Sequence, residues 1–471
     1  MEKTKISNHA KIIILLIYIF IGIALALAAN APQCYNLSTE CLVIIISFFF
    51  TGGAWIYYIF QNGFYIFEPS TIVLGLTLVS YTIAPIISIY NNDLTINGFP
   101  VFNGCIKASI LYDISFSLFL YFYYHHFQTY RKNSYDKKRD YTSFPPRIKR
   151  IIILMCFLFC FISISICLIN LIKKGFSINY ILSLGSQGNL EQTEEDIGAI
   201  INLRYLMVSS FLYLDLLCTS KKDKFLILTL RIIAIACLFA TNKRWLIIIL
   251  ILSPIVLKFV FARKSPHTKN IIIVGLLLFF INGAMQYMRY YSTTSITNVD
   301  WSYLNFKELW KGVSGNFDLY KTLYAAVEFF PNKHSHTLGQ QMIYLTLVTC
   351  IPRSIWPEKP ISILEELKLY FMGQGSIDGA WAYAQFTEYY VEFGFIGLFI
   401  LFSMFGLYCR WLKQKTNNFK SYNDLVLVAF MYPMLMQLVI RGYMPINFWS
   451  IFFMMIPVFF IKKITKKYEK E

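Results

Sequence analysis

Apolar stretches long enough to cross a bilayer follow one another along almost the whole of this 471-residue chain, and they constrain its fold more than any motif does. A hydrocarbon core asks for roughly 20 apolar residues of helix per crossing, because backbone amides there can bond only to one another. About twelve segments of that length can be read. They centre on 11–29, 41–60, 69–90, 106–126, 150–172, 201–218, 225–241, 245–262, 270–288, 390–409, 425–440 and 447–461. Charged residues make up only 15% of the chain, against about 25% in soluble domains. Its 43 Phe and 33 Tyr suit the aromatic belts of two bilayer interfaces. The expected fold is therefore all-α: a polytopic integral membrane protein of about 12 transmembrane helices. It forms a single transmembrane domain over 1–471, broken by one long polar loop at 289–380.

The formal charge of +17 raises nucleic acid as a partner, but its distribution excludes that class. Most of the 43 Lys and Arg fall in alternate connections: the N-terminal segment, 131–150, 221–224, 258–269, 410–420 and the stretch after 461. This is the positive-inside pattern, which places both termini in the cytoplasm and the 289–380 loop outside. Anionic membrane lipids are the electrostatic partner it implies. Lys3, Lys5 and Lys11 ahead of an apolar run ending Ala24 to Ala28 resemble a signal peptide, yet the run is longer than an h-region. An uncleaved first helix is the expectation. The ten cysteines show no paired or metal-ligand spacing and read as small buried hydrophobes.

Within the long loop, Leu309, Val313, Phe317, Tyr320 and Tyr324 recur at helical spacing until Pro331 ends the run. Gly339 to Thr349 is apolar but too short to span, which fits a helix lying at the interface or re-entering the bundle. Ionisable groups in or beside the spans need explaining. Arg204, Arg289, Arg441 and the pair Lys243-Arg244 all fall at the outer ends of spans. One reading is snorkelling to headgroups. The other is a shared anionic ligand, since guanidinium groups grip phosphate oxygens through paired hydrogen bonds. Asp215 and Arg231 read as a structural pair between neighbouring helices, and Asp113 as a further structural acid. Glu388 and Glu392, four apart, share one helical face and offer either a general base or a solvated helix start. His334 and His336 are imidazoles able to take a hydroxyl proton near neutral pH. A phosphate-binding Gly-rich loop is missing, and so is any Asp-x-Asp, so nucleotide hydrolysis and metal-organised sugar transfer are not expected.

With these residues in view the chain resembles the Wzy-type O-antigen (oligosaccharide repeat-unit) polymerases. The resemblance covers the layout of most of the chain, with a long outer loop before the last three helices. Its carriers are Thr241-Asn242-Lys243-Arg244, the run from Ile351-Pro352-Arg353 through Trp356-Pro357-Glu358-Lys359-Pro360, and Thr387-Glu388-Tyr389-Tyr390 leading to Phe393-Gly394-Phe395-Ile396-Gly397. It implies a GT-C-like membrane glycosyltransferase of the bacterial inner membrane, acting at the periplasmic face on undecaprenyl-diphosphate-linked oligosaccharides. No cofactor and no metal are expected, because a lipid diphosphate leaves readily beside cations. On this reading Arg204, Arg244, Arg289, Arg353, Lys359 and Arg441 hold the diphosphates. Glu388 is the first choice of base and His336 the second, and Trp356 and Trp381 stack on sugars. The family also implies a chain-length regulator as partner. An O-antigen ligase shares the layout; a flippase or transporter is the alternative of another class.

Overall fold

The computed structural model describes residues 8–62, 68–96, 99–125, 144–173, 198–240, 243–262, 317–349, 355–360, 362–372, 383–419 and 421–468, with short pieces between 273 and 315 and residue 351. Helices dominate it. In chain order they are α1 (Asn8–Ala29), α2 (Ser38–Asn62), α3 (Pro69–Leu78), α4 (Ala84–Tyr90), α5 (Cys105–Tyr124), α6 (Pro146–Lys173), α7 (Leu206–Leu217), α8 (Lys221–Ala240) and α9 (Arg244–Ala262). They continue with α10 (Leu319–Phe329), α11 (Gln340–Val348), α12 (Ile363–Met372), α13 (Gln385–Asn417), α14 (Tyr422–Ile440) and α15 (Met444–Tyr468). A two-residue hairpin, β1 (Thr95–Ile96) antiparallel to β2 (Phe99–Pro100), links α4 to α5.

Among the described residues nine helical stretches are long and apolar enough to cross a membrane: Lys11–Ala29, Cys34–Asn62, Pro69–Tyr90, Phe102–Tyr124, Pro146–Ile169, Arg244–Phe261, Gln385–Asn417, Tyr422–Ile440 and Met444–Thr465. The chain is a multi-pass integral membrane protein. Three segments of the sequence reading are not in this set, each for its own reason. Residues 201–218 form a 3-10 stretch, Gly198–Tyr205, and then the 12-residue α7. Helix α8 opens with Lys221, Lys222, Asp223 and Lys224 and carries Arg231. Most of 270–288 lies outside the described residues.

Pro69–Tyr90 is a continuous span only because a π-helical turn, Val79–Ile83, joins α3 to α4. Pro85 supplies the cause: it has no N–H to return to the preceding turn, and a widened turn absorbs the loss. The side chains pack into two cores. One gathers α1 to α5, α10, α12, most of α13 and the end of α14; the other gathers α6 to α9, most of α14 and α15. The expected Asp215–Arg231 pair forms, at 2.7 Å, tying α7 to α8. Asp113 accepts from Ser47 and Thr51, both at 2.8 Å, and so joins α5 to α2. The nine described cysteines are buried free thiols.

The described part of the long polar segment is folded onto the bundle. Helix α10 is buried on nearly every side, Lys321 included, and packs on α5, α12, α13 and the π turn. The helical spacing of Leu309, Val313, Phe317, Tyr320 and Tyr324 predicts a single apolar side, and α10 packs on more than that. Lys321 is buried because it pairs with Asp93 at 2.5 Å, beside the hairpin. Gly104, just before α5, admits α10: a Cβ there would sit 2.3 Å from the Tyr324 carbonyl oxygen. Helix α11 buries Leu345 and Val348 and leaves Ile343, Tyr344 and Leu347 exposed. That is the face expected of a helix lying along a lipid boundary.

Candidate active site

Three chain segments converge where α13 begins. Ala384 is extended at the N-cap, and the Tyr383 carbonyl just before it accepts from Gly442 N at 2.9 Å. This holds the turn between α14 and α15 against the start of α13. Glu388 and Glu392 then point inward on the first two turns, 1% and 3% exposed, so neither is a solvated helix start. Both Glu388 carboxyl oxygens lie 3.0 Å from Met444 N, the first residue of α15. Amides in a first helical turn lack an intrahelical acceptor, and the helix dipole favours an anion there. Glu388 answers both needs for α15.

Glu392 does the same for α11. Its carboxylate accepts from the Thr337 hydroxyl and faces the backbone amides of Gly339 and Met342. Its own carbonyl accepts from Leu338 N at 2.6 Å. One turn of α13 therefore lies between two acids, each closing the start of a different helix.

His336 lies on the strap between α10 and α11, half-buried. Its Nδ1 is 3.1 Å from the Val391 carbonyl oxygen. A carbonyl can only accept, so this partner assigns the proton to Nδ1 and leaves Nε2 with the lone pair in the neutral ring. Phe330 stacks on the imidazole, with centroids 5.5 Å apart, and Tyr390 meets it edge-on at 5.4 Å. The helix yields beside it. Gly394 has φ 65° and ψ −159°, a region essentially reserved for glycine, and a Cβ there would stand 3.1 Å from His336 Nε2. Lys107, in the first turn of α5, lies over the Tyr390 ring, its Nζ 5.7 Å from the centroid.

The remaining sequence-predicted residues divide in three. Arg441 is brought to this corner: it ends α14, its carbonyl accepts from Asn447 Nδ2 at 2.6 Å, and Met444 follows three residues later. Arg204, Arg244, Lys359 and Trp356 are placed by other contacts. Arg204 is buried against the Tyr205 ring, 5.4 Å from its centroid, in the 3-10 stretch that packs on α6 and α15. Arg244 opens α9, half-buried, in a helix that packs mainly on α14. Lys359 closes the far end of α11, with Nζ 3.4 Å from the Thr349 carbonyl and 3.3 Å from that of Ile351. Trp356 meets the edge of Tyr344, centroids 6.4 Å apart. Arg289, Arg353 and Trp381 lie outside the described residues. The sequence reading did not single out Lys107, Thr337 or Tyr390. Only Tyr390 carried a signal, standing in the quoted run beside Glu388.

A family model, O-antigen polysaccharide polymerase Wzy, matches residues 9–469. The chain belongs to this family. The match takes in nearly every residue, both cores and the whole of the corner just described, so the expected resemblance holds along the chain. Membership makes the protein a membrane polysaccharide polymerase, an enzyme of the glycosyltransferase type that acts on lipid-linked oligosaccharide repeat units. No curated protein and no solved structure matches it.

Proposed function

We propose that the protein joins undecaprenyl-diphosphate-linked repeat units at the periplasmic face of the bacterial inner membrane, with both termini cytoplasmic, and that the reaction centres on His336. The observation that carries this reading is the Nδ1 contact to Val391 O, which leaves Nε2 able to accept a proton on a half-buried ring. Glu388 and Glu392 are enclosed and engaged by helix-start amides, which favours them as groups that position the strap and favours His336 as the base.

In the proposed step the terminal hydroxyl of the incoming unit loses its proton to Nε2 of His336. Its oxygen forms a bond to C1 of the growing chain as the bond from C1 to the lipid diphosphate breaks. The electron pair leaves on the diphosphate, which needs fixed positive charge and no proton. Arg441 stands three residues before Met444, whose amide Glu388 accepts from; with Arg204, Arg244, Arg289, Arg353 and Lys359 it makes up the proposed phosphate-binding set. Trp356 and Trp381 are proposed to stack on sugar rings, and a chain-length regulator is the proposed partner.

The test is a polysaccharide gel from a strain deleted for this chain and complemented with variants. His336→Ala is expected to give single capped units in place of the ladder, with normal protein in the membrane. A wild-type ladder from that variant removes His336 as the base.

A further inference from the structure

We propose that Lys107 is a phosphate-binding residue of the polymerisation site and holds the diphosphate of the lipid-linked glycan beside His336; this rests on the reading above. Tyr390 is the shared wall. Its ring is 2% exposed and its hydroxyl donates to the Phe330 carbonyl at 3.2 Å, so the ring is fixed. Lys107 Nζ lies over it at 5.7 Å, and His336 meets it edge-on at 5.4 Å. An ammonium and an imidazole thus both contact one phenol ring. That is the pairing needed where a proton is taken from one substrate while the other releases an anion.

The state of the lysine supports this use. Lys107 is exposed, and among the described residues no carboxylate lies within ion-pair reach of its ammonium. Lys321, Lys413 and Lys415, by contrast, each hold one. A cation in the first turn of a helix also works against the helix dipole, and an anion bound there would offset this. Next to it Ile106, Ile110 and Ile114 form an exposed apolar stripe at four-residue spacing down α5. A headgroup held by Lys107 leaves its lipid chain free to run along that stripe. Two ligands share this chemistry, the diphosphate of the substrate and an anionic bilayer lipid, and the proposal commits to the first.

Full-length wild type and Lys107→Ala, reconstituted in phosphatidylcholine nanodiscs, are titrated with undecaprenyl-diphosphate-linked repeat unit. Binding is expected to weaken about ten-fold in Lys107→Ala and to recover in Lys107→Arg. The same preparations are then assayed for polymer, where KM is expected to rise by a similar factor with kcat held. Equal affinities overturn the proposal, whatever the turnover. A difference that appears only when phosphatidylglycerol is added assigns the lysine to bilayer lipid and also overturns it. Unchanged polymer from His336→Ala in the same assay, with the Lys107 binding difference intact, sinks the reaction proposed above and leaves Lys107 as a diphosphate ligand.

Discussion

The two ends of α13 handle buried charge in opposite ways. Near its far end Lys413 pairs with Glu68, which precedes α3, both under 10% exposed; Tyr123 OH donates to the same carboxyl oxygen at 3.1 Å. Lys413 also lies over the Tyr123 and Tyr124 rings, at 5.5 and 5.9 Å. At its start, Glu388 and Glu392 are as deeply buried and are held by amides and a hydroxyl. One end cancels charge with charge and locks three spans together. The other balances charge with dipoles, which hold a strap and a helix start in place. A clamp and a site can therefore share one helix because different partners answer its acids and bases.

The largest effect is expected from breaking the clamp. Lys413→Ala leaves a buried carboxylate without its cation, a change that costs about 3–5 kcal/mol. Thermal unfolding in detergent is expected to show that loss together with a fall in membrane-inserted protein. The double variant Glu68→Gln with Lys413→Met is expected to recover most of it, because no orphaned charge remains. A double variant as unstable as the single one would show that the pair acts through packing over Tyr123 and Tyr124.

Gly394→Ala comes next and strikes the other end. The backbone there lies in a region costing an L-residue about 1–3 kcal/mol, and the added Cβ would press on His336 Nε2. Stability is expected to fall less than for Lys413→Ala, while the polysaccharide ladder shortens to single units. A ladder preserved at normal length would show that the His336 pose tolerates displacement.

How far these features were legible follows from the range of the forces behind them. The nine spans could be read because burial in a bilayer is a local demand on roughly 20 consecutive residues. The Asp215–Arg231 pair could be read because consecutive helices pack together. The spacing of Leu309 to Tyr324 predicts only one apolar side for α10, because the partner that lets Lys321 be buried, Asp93, lies 228 residues away in sequence. Glu388 and Glu392 were placed on one face from their spacing. What lies opposite them arrives from 56 and 55 residues away, and spacing within one helix carries no trace of it. Lys107 reads as an ordinary lysine at a span end until Tyr390 is brought under it.

Glu392→Ala removes the acceptor for Thr337 and for the start of α11, at about 0.5–2 kcal/mol, the range of a lost helix cap. It is expected to shorten the ladder by loosening the strap that carries His336, and Glu392→Gln is expected to restore part of it.

Glu388→Gln is the smallest and the most discriminating change. The amide keeps an oxygen for Met444 N and loses only the charge that the α15 dipole favours, worth about 0.3–1 kcal/mol. If Glu388 serves as a cap, the variant keeps its ladder with a small drop in melting temperature, and Glu388→Ala falls further for want of any acceptor. If Glu388 is instead the base, as its place in the quoted run first implied, Glu388→Gln abolishes polymer at nearly unchanged stability, because an amide cannot take a proton near neutral pH. Gel and melting curve together separate the two roles, since a cap fails through stability and a base through turnover.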